Sequence, residues 1–189
     1  GADIEIAGTG PGTVVDGSIG MQNSGYLSTV VRDMSVTGSI DYSGTGDHTL
    51  YRVAAHGVVG YPSGEFTLVV DSCELTGSGV FVQVYSGSHG TDILLQNNWI
   101  HDAVAGLQAY AIVDEHQQLN LELVNNTITN STYGTYLFWG GPSVTLVSRN
   151  NIFSGLVNGN SSFWATDDWT LTRQYNAFYD NDADQHALN

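Results

Sequence analysis

Apolar and polar residues alternate in short stretches that recur along the chain. The clearest is Leu121-Glu122-Leu123-Val124-Asn125-Asn126-Thr127-Ile128. Ile93-Leu94-Leu95-Gln96-Asn97-Asn98-Trp99-Ile100 stands before it, and Leu146-Val147-Ser148-Arg149-Asn150-Asn151-Ile152-Phe153 after it. Alternation of period two marks a strand with one buried face. Looser copies fit the same frame at Thr29 to Val36, Tyr51 to Val58, Leu68 to Leu75 and Leu171 to Phe178. A first copy opens at Ile4-Glu5-Ile6 and breaks down at Pro11. The position of the second Asn then reads Thr9, Met34, His56, Cys73, Asn98, Asn126, Asn151, Asn176, at intervals of 17 to 28 residues.

One strand per such interval is too sparse for a hairpin meander, whose turn signals recur about every 8 to 12 residues. No stretch between the copies has an amphipathic helical pattern, which disfavours crossover helices. What remains is a chain that winds round and lays each strand beside its predecessor, in parallel. Second strands recur at matching places: Val80-Phe81-Val82-Gln83-Val84, Leu107 to Ile112, Tyr136-Leu137-Phe138-Trp139 and Phe163-Trp164-Ala165. The expected fold is all-β: one domain over residues 1–189, wound as a single solenoid of about eight coils. Ile100, Ile128, Phe153 and Phe178 should form an interior row. Asn98, Asn126, Asn151 and Asn176 should point inward in line, because Asn tolerates the left-handed turn conformation and stacked amides can bond to one another. In the same column Met34, His56 and Cys73 read as packed fillers.

These phrases, with the opening Ile6-Ala7-Gly8-Thr9-Gly10-Pro11-Gly12-Thr13-Val14-Val15-Asp16-Gly17, make the chain resemble the right-handed parallel β-helix, or pectate-lyase-like, superfamily. The resemblance covers about Asp3 to Tyr179. It implies a single-stranded right-handed parallel β-helix and leaves function open, because that fold hosts lyases, hydrolases, epimerases, adhesins and structural proteins. The lysine base of many of its lyases is missing, since the chain has no lysine. The three aspartates and downstream Arg-Ile-Lys of its polygalacturonate hydrolases are not matched either. Asp167-Asp168 and Gly87-Ser88-His89-Gly90 are similar to two pieces of that set but stand in the wrong order.

Charge narrows the partners. Nineteen acidic residues oppose four arginines, a net charge of −15. Nucleic acids and anionic membranes call for clustered basic residues, so neither is an expected partner. No run is apolar enough for membrane insertion. Arg32 and Arg149 occupy the same outward slot of the repeat; with Arg52 they read as cross-coil ion pairs, Arg149 near Glu122 and Arg52 near Asp71. Arg173 falls in an inward slot that the frame leaves unexplained. Cys73 is the single cysteine, so no internal disulfide forms. Sequons at Asn125, Asn130 and Asn160 permit glycosylation in a secreted protein. With no initiator methionine or basic-then-apolar leader, the chain reads as a processed extracellular or cell-surface product.

Candidate chemistry gathers on one rim. The connections before the repeated strands hold His48, Tyr61, His89, Asp114-Glu115-His116, Trp139 and Asp167-Asp168. Equivalent connections of a solenoid stack one strand spacing apart, about 4.8 Å. Asp114, Glu115, Asp167 and Asp168 are the candidate acids and bases for a glycosidic bond. Tyr61, His89, His116 and Trp139 are the candidate glycan contacts. Asp180, Asp182 and Asp184 have the alternate spacing of a Ca²⁺ loop, although Gln185 stands where its glycine belongs. No cofactor is required. The reading preferred from sequence is a non-enzymatic extracellular building block that self-assembles head to tail into filaments through Ile4, Ile6, Leu171 and Phe178. The alternative is a glycan-binding or glycan-degrading β-helix, or a fragment of one.

Overall fold

The computed structural model describes residues 2–10, 12–84, 90–111, 118–139, 143–158, 161–165 and 169–182. Fourteen extended elements and no helix occur among them. They are β1 (Ala2–Ala7), β2 (Val14–Val15), β3 (Ile19–Asp71), β4 (Glu74–Val84), β5 (Gly90–Gln96), β6 (Trp99–Ala111), β7 (Gln118–Val124), β8 (Thr127–Thr129), β9 (Tyr133–Trp139), β10 (Ser143–Arg149), β11 (Ile152–Ser154), β12 (Ser161–Ala165), β13 (Trp169–Gln174) and β14 (Ala177–Tyr179). Every pairing between different elements is parallel. The molecule is a parallel β-solenoid of about six turns. The count of about eight coils expected from sequence is slightly high.

Three rows of inward side chains fill the tube. On the first sheet Leu68, Ile93, Leu121, Leu146 and Leu171 stand in register. On the short face between the turns the row is Leu75, Ile100, Ile128, Phe153 and Phe178. The last two rings stack at 5.3 Å. On the second sheet Val82, Ala109 and Leu137 follow one another beneath Gly60. Buried side chains alternate with outward ones, so each strand needs only every second residue to be apolar. Gly106 is small of necessity, since a Cβ there would run into the Ile128 side chain and the Gly134 carbonyl.

The Asn-Asn phrase divides its labour. The first residue of each pair takes the left-handed conformation: Asn97, Asn125 and Asn150 have φ of 57, 56 and 54°. Asp33, Arg52, Ser72 and Tyr175 do the same on other coils. The second Asn forms the ladder. Asn126 Oδ1 accepts from the backbone N–H and from Nδ2 of Asn98, both at 3.0 Å. Asn126 Nδ2 donates to Leu95 O at 2.8 Å and to Asn151 Oδ1 at 3.0 Å. Asn151 repeats the pattern toward Asn176, and Cys73 N donates to Asn98 Oδ1 at 2.9 Å.

A second ladder stands at the next turn and escaped the sequence pattern. There Asp102, Asn130, Gly155 and Asp180 take positive φ. Ala103 N donates to Ser131 Oγ, and Leu156 N to Asn181 Oδ1. Its side chains vary in type, so no letter repeats.

The early coils correct the sequence frame. Met34 and Cys73 are buried fillers as expected. His56 is exposed, and Val53 takes the place assigned to it, since Ala54 pairs with Glu74 and Val53 therefore precedes it beside Cys73. The cause is shorter coils. Backbone from Ile19 to Asp71 is extended without a break, yet it winds: Thr29 bonds His48 and Asp33 bonds Arg52, each only 19 residues on. A frame tuned to the later spacing of 25 to 28 residues slips by three here.

Candidate functional site

Four connections join the end of a second-sheet strand to the start of a first-sheet strand. They follow β4, β6, β9 and β12 and precede β5, β7, β10 and β13. Val84, Ala111 and Trp139 end their strands in register, and the following strands also start in register. The connections therefore leave and re-enter at one edge of the tube, as the sequence implied. His89, Asp114, Glu115, His116, Asp167 and Asp168 fall in them, outside the described residues; Asn160 and Asp184, elsewhere in the chain, also lie outside the described residues. Trp139 contributes described backbone opposite Ala111 and Ala165.

Two rim assignments are corrected. His48 is interior, 1 % exposed, because the shorter coil turns it into the core. Its Nδ1 lies 2.8 Å from Thr29 Oγ1, and its ring packs between Tyr42 at 4.5 Å and Phe66 at 5.0 Å. Burial lowers its pKa from 6.5 to about 4. Tyr61 lies on the second sheet and faces outward, its ring edge-on to Phe81 at 6.3 Å.

That contact begins an aromatic flank. Phe81 reaches Tyr110 at 5.6 Å, and Tyr110 reaches Tyr136 at 5.5 Å and Phe138 at 6.2 Å. Tyr133 packs on Tyr136 at 4.8 Å. The sheet explains the alignment. Phe81, Gln108 and Tyr136 form one outward column; Gln83, Tyr110 and Phe138 form the next, and Trp164 holds the following register position. Tyr61, Phe81, Gln83, Tyr110, Tyr136 and Phe138 are half-buried, and Gln108 is buried. Burial, then the neighbouring Tyr136, raises the Tyr110 phenol pKa. Sequence reasoning singled out Tyr61 and missed the rest. The available signal was the outward alternation Phe81, Gln83 between buried Val80, Val82 and Val84.

The outer face of the first sheet carries a groove of about 300 Å³ beside Thr67, Asp92, Leu94, Asn120, Glu122 and Val147. Asn120 Nδ2 donates to Asp92 at 2.7 Å. On the short face His101 is held between Asp102 at 2.7 Å and Glu74 at 3.2 Å, with Trp99 stacked on it at 4.0 Å. The Asp102 hydrogen bond, followed by the Glu74 one against a burial cost, raises its pKa. Both ring nitrogens are occupied, so the cluster works as a clamp between rungs and leaves no nitrogen to act as a base.

The arginines pair differently from expectation. Arg32 meets Glu5 at 2.6 Å and Asp33 at 2.7 Å, and Arg52 meets Asp33 at 2.6 Å. Arg52 sits at the left-handed turn, one coil from Asp33, which puts Asp33 rather than Asp71 in reach. Asp71 accepts instead from Ser72, Gln96 and Asn97. Arg149 forms no ion pair among the described residues. Arg173 keeps register opposite Ser148 and so points inward, where burial lowers its pKa.

Asp180 and Asp182 are turn residues: Asp180 has φ 52°, and Asp182 N donates to Leu156 O. Among the described residues no three His, Cys, Asp or Glu side chains gather to hold a metal. Cys73 is a buried thiol whose pKa burial pushes up to about 12. Asn125 and Asn130 are exposed at their turns. Ile4, 42 % exposed, and Ile6 belong to β1, and Leu171 and Phe178 to β13 and β14, the outermost rungs described.

Fold and surface thus define a parallel β-solenoid with an aromatic flank. The chain matches no protein-family profile, no curated protein and no solved structure.

Proposed function

We propose that this is a non-enzymatic, extracellular β-solenoid of the pectate-lyase-like kind that binds polysaccharide along its aromatic flank. The observation that carries this reading is the contiguous run of Tyr61, Phe81, Tyr110, Tyr136 and Phe138, one or more rings on each of four successive rungs. Aromatic faces stack on the C–H faces of sugar rings, and a rigid sheet presents them already ordered, which lowers the entropic cost of binding. The exposed sequon residues Asn125 and Asn130 and the −15 charge fit an extracellular setting. Replacing Tyr110 and Tyr136 together with leucine keeps apolar volume and removes the π faces. The double variant should melt close to the parent and lose retardation in polysaccharide-containing native gels. Unchanged retardation would refute the reading, and sugar release by the parent protein would refute its non-enzymatic part.

The outer rungs favour a second reading, end-to-end self-assembly. Among the described residues β1 pairs with β3 alone, and β13 and β14 with β10 and β11 alone. Parallel edges can template a further rung, and a head-to-tail contact between copies propagates. Light scattering should then show a mass that grows with protein concentration and with salt, and that Ile6→Glu returns to one chain. A single-chain mass at every concentration and salt level would exclude it.

A further inference from the structure

The flank also specifies what kind of polysaccharide it takes, an inference that rests on the glycan-binding reading above. We infer that the ligand is an uncharged, extended polysaccharide lying along the solenoid axis, one sugar ring per rung. Direction follows from register. Phe81 on β4, Tyr110 on β6 and Tyr136 on β9 follow one another at 5.6 and 5.5 Å, the scale on which parallel strands repeat. A chain laid across the strands meets a new ring at every rung; a chain laid along one strand meets at most two.

Polarity follows from what stands between the rings. Gln83 lies between Phe81 and Tyr110 in the lattice, and Gln108 between Phe81 and Tyr136. Gln108 is 8 % exposed and sits beneath the rings, so half-buried Gln83 is the carboxamide placed to donate to and accept from sugar hydroxyls. Tyr110 and Tyr136 add phenol groups.

Charge selects against acidic sugars. No charged residue occurs among the described outward positions Val59, Tyr61, Phe81, Gln83, Gln108, Tyr110, Tyr136 and Phe138. Arg32 and Arg52 are held by Glu5 and Asp33 at a turn of the early coils, and Arg149 and Arg173 belong to first-sheet strands. The adjoining connections carry Asp114, Glu115, Asp167 and Asp168 in sequence. A uronate chain would meet a −15 molecule with no cation on the binding face. The same charge opposes face-to-face pairing of two copies, which leaves a neutral polymer as the complementary occupant.

Calorimetric titration of the intact chain with two oligosaccharide series tests this: a neutral β-linked series from the disaccharide upward, and oligouronates of matched length. Neutral sugars should bind more tightly with each added unit until the ligand spans the ring-bearing rungs, and then no further. Oligouronates should bind on the order of tenfold more weakly at low salt, with the gap narrowing as salt screens the charge. Equal or tighter uronate binding would overturn the charge selection and leave the glycan reading standing. Affinity that is flat from the disaccharide onward would overturn the axial placement. Binding of neither series would overturn this inference and the glycan reading together.

Discussion

Replacing Asn126 with alanine should destabilise the solenoid by about 3 to 5 kcal/mol, far more than the loss of one hydrogen bond. Asn126 is 1 % exposed, and its side chain makes four hydrogen bonds across three rungs. Alanine removes all four and leaves the Asn98 N–H, the Leu95 carbonyl and one Asn151 acceptor site buried and lacking their Asn126 partners. Water cannot readily replace these bonds in a closely packed tube, so each orphan costs about 1 to 3 kcal/mol, with some relaxation. Its neighbour provides the control. Asn125 is exposed and contributes its φ of 56°, so Asn125→Gly should be nearly neutral and Asn125→Ala should cost about 1 kcal/mol. Urea unfolding of the three variants checks both statements. Similar losses at positions 125 and 126 would mean that turn geometry matters and the ladder does not.

Acid should weaken the early coils through His48. Its unfolded-state pKa is 6.5 and its folded value about 4, because burial disfavours the imidazolium; nearby Asp47 opposes the shift without cancelling it. Between those values the unfolded chain binds the proton and the folded chain does not. The stability that His48 confers by staying neutral is therefore intact above pH 6.5, falls as the pH drops toward 4, and is fully lost below that. The shift corresponds to roughly 3 kcal/mol. His48 Nε2 and the Tyr42 hydroxyl have no hydrogen-bond partner among the described residues, so no group stands ready to receive the new proton. Asp33 and Asp71, whose pKa values are lowered from 3.8, add an acid loss of their own, but only below that value. Melting measured from pH 7 to pH 4 should show a decline that His48→Phe abolishes in this window. An identical decline in the variant would place the acid sensitivity elsewhere.

The later coils were readable in the sequence because one physical requirement repeats there without variation. Each turn buries an amide that must bond to the rungs on both sides, and Asn98, Asn126 and Asn151 meet it with the same letter at intervals of 28 and 25 residues. Strand alternation on either side then separates Leu121 and Leu123, inward, from Glu122, outward. The second turn meets the same requirement with Ser131 Oγ and Asn181 Oδ1, so it left no visible pattern. In the early coils Asp33, Arg52 and Ser72 serve as turn residues by conformation alone, and the coil shortens by several residues. Sequence could not place His56 outside or His48 inside, because a one-residue change in register reverses the side of the sheet. The candidate surface divides the same way. That Val84, Ala111 and Trp139 end their strands in line follows from the repeat itself, since equivalent positions of successive coils must stack. That Tyr61, Phe81, Tyr110, Tyr136 and Phe138 form one flank was decided by tertiary structure. Their spacing along the chain is irregular, and the register shifts at Gly57 and Gly79 set which ring meets which.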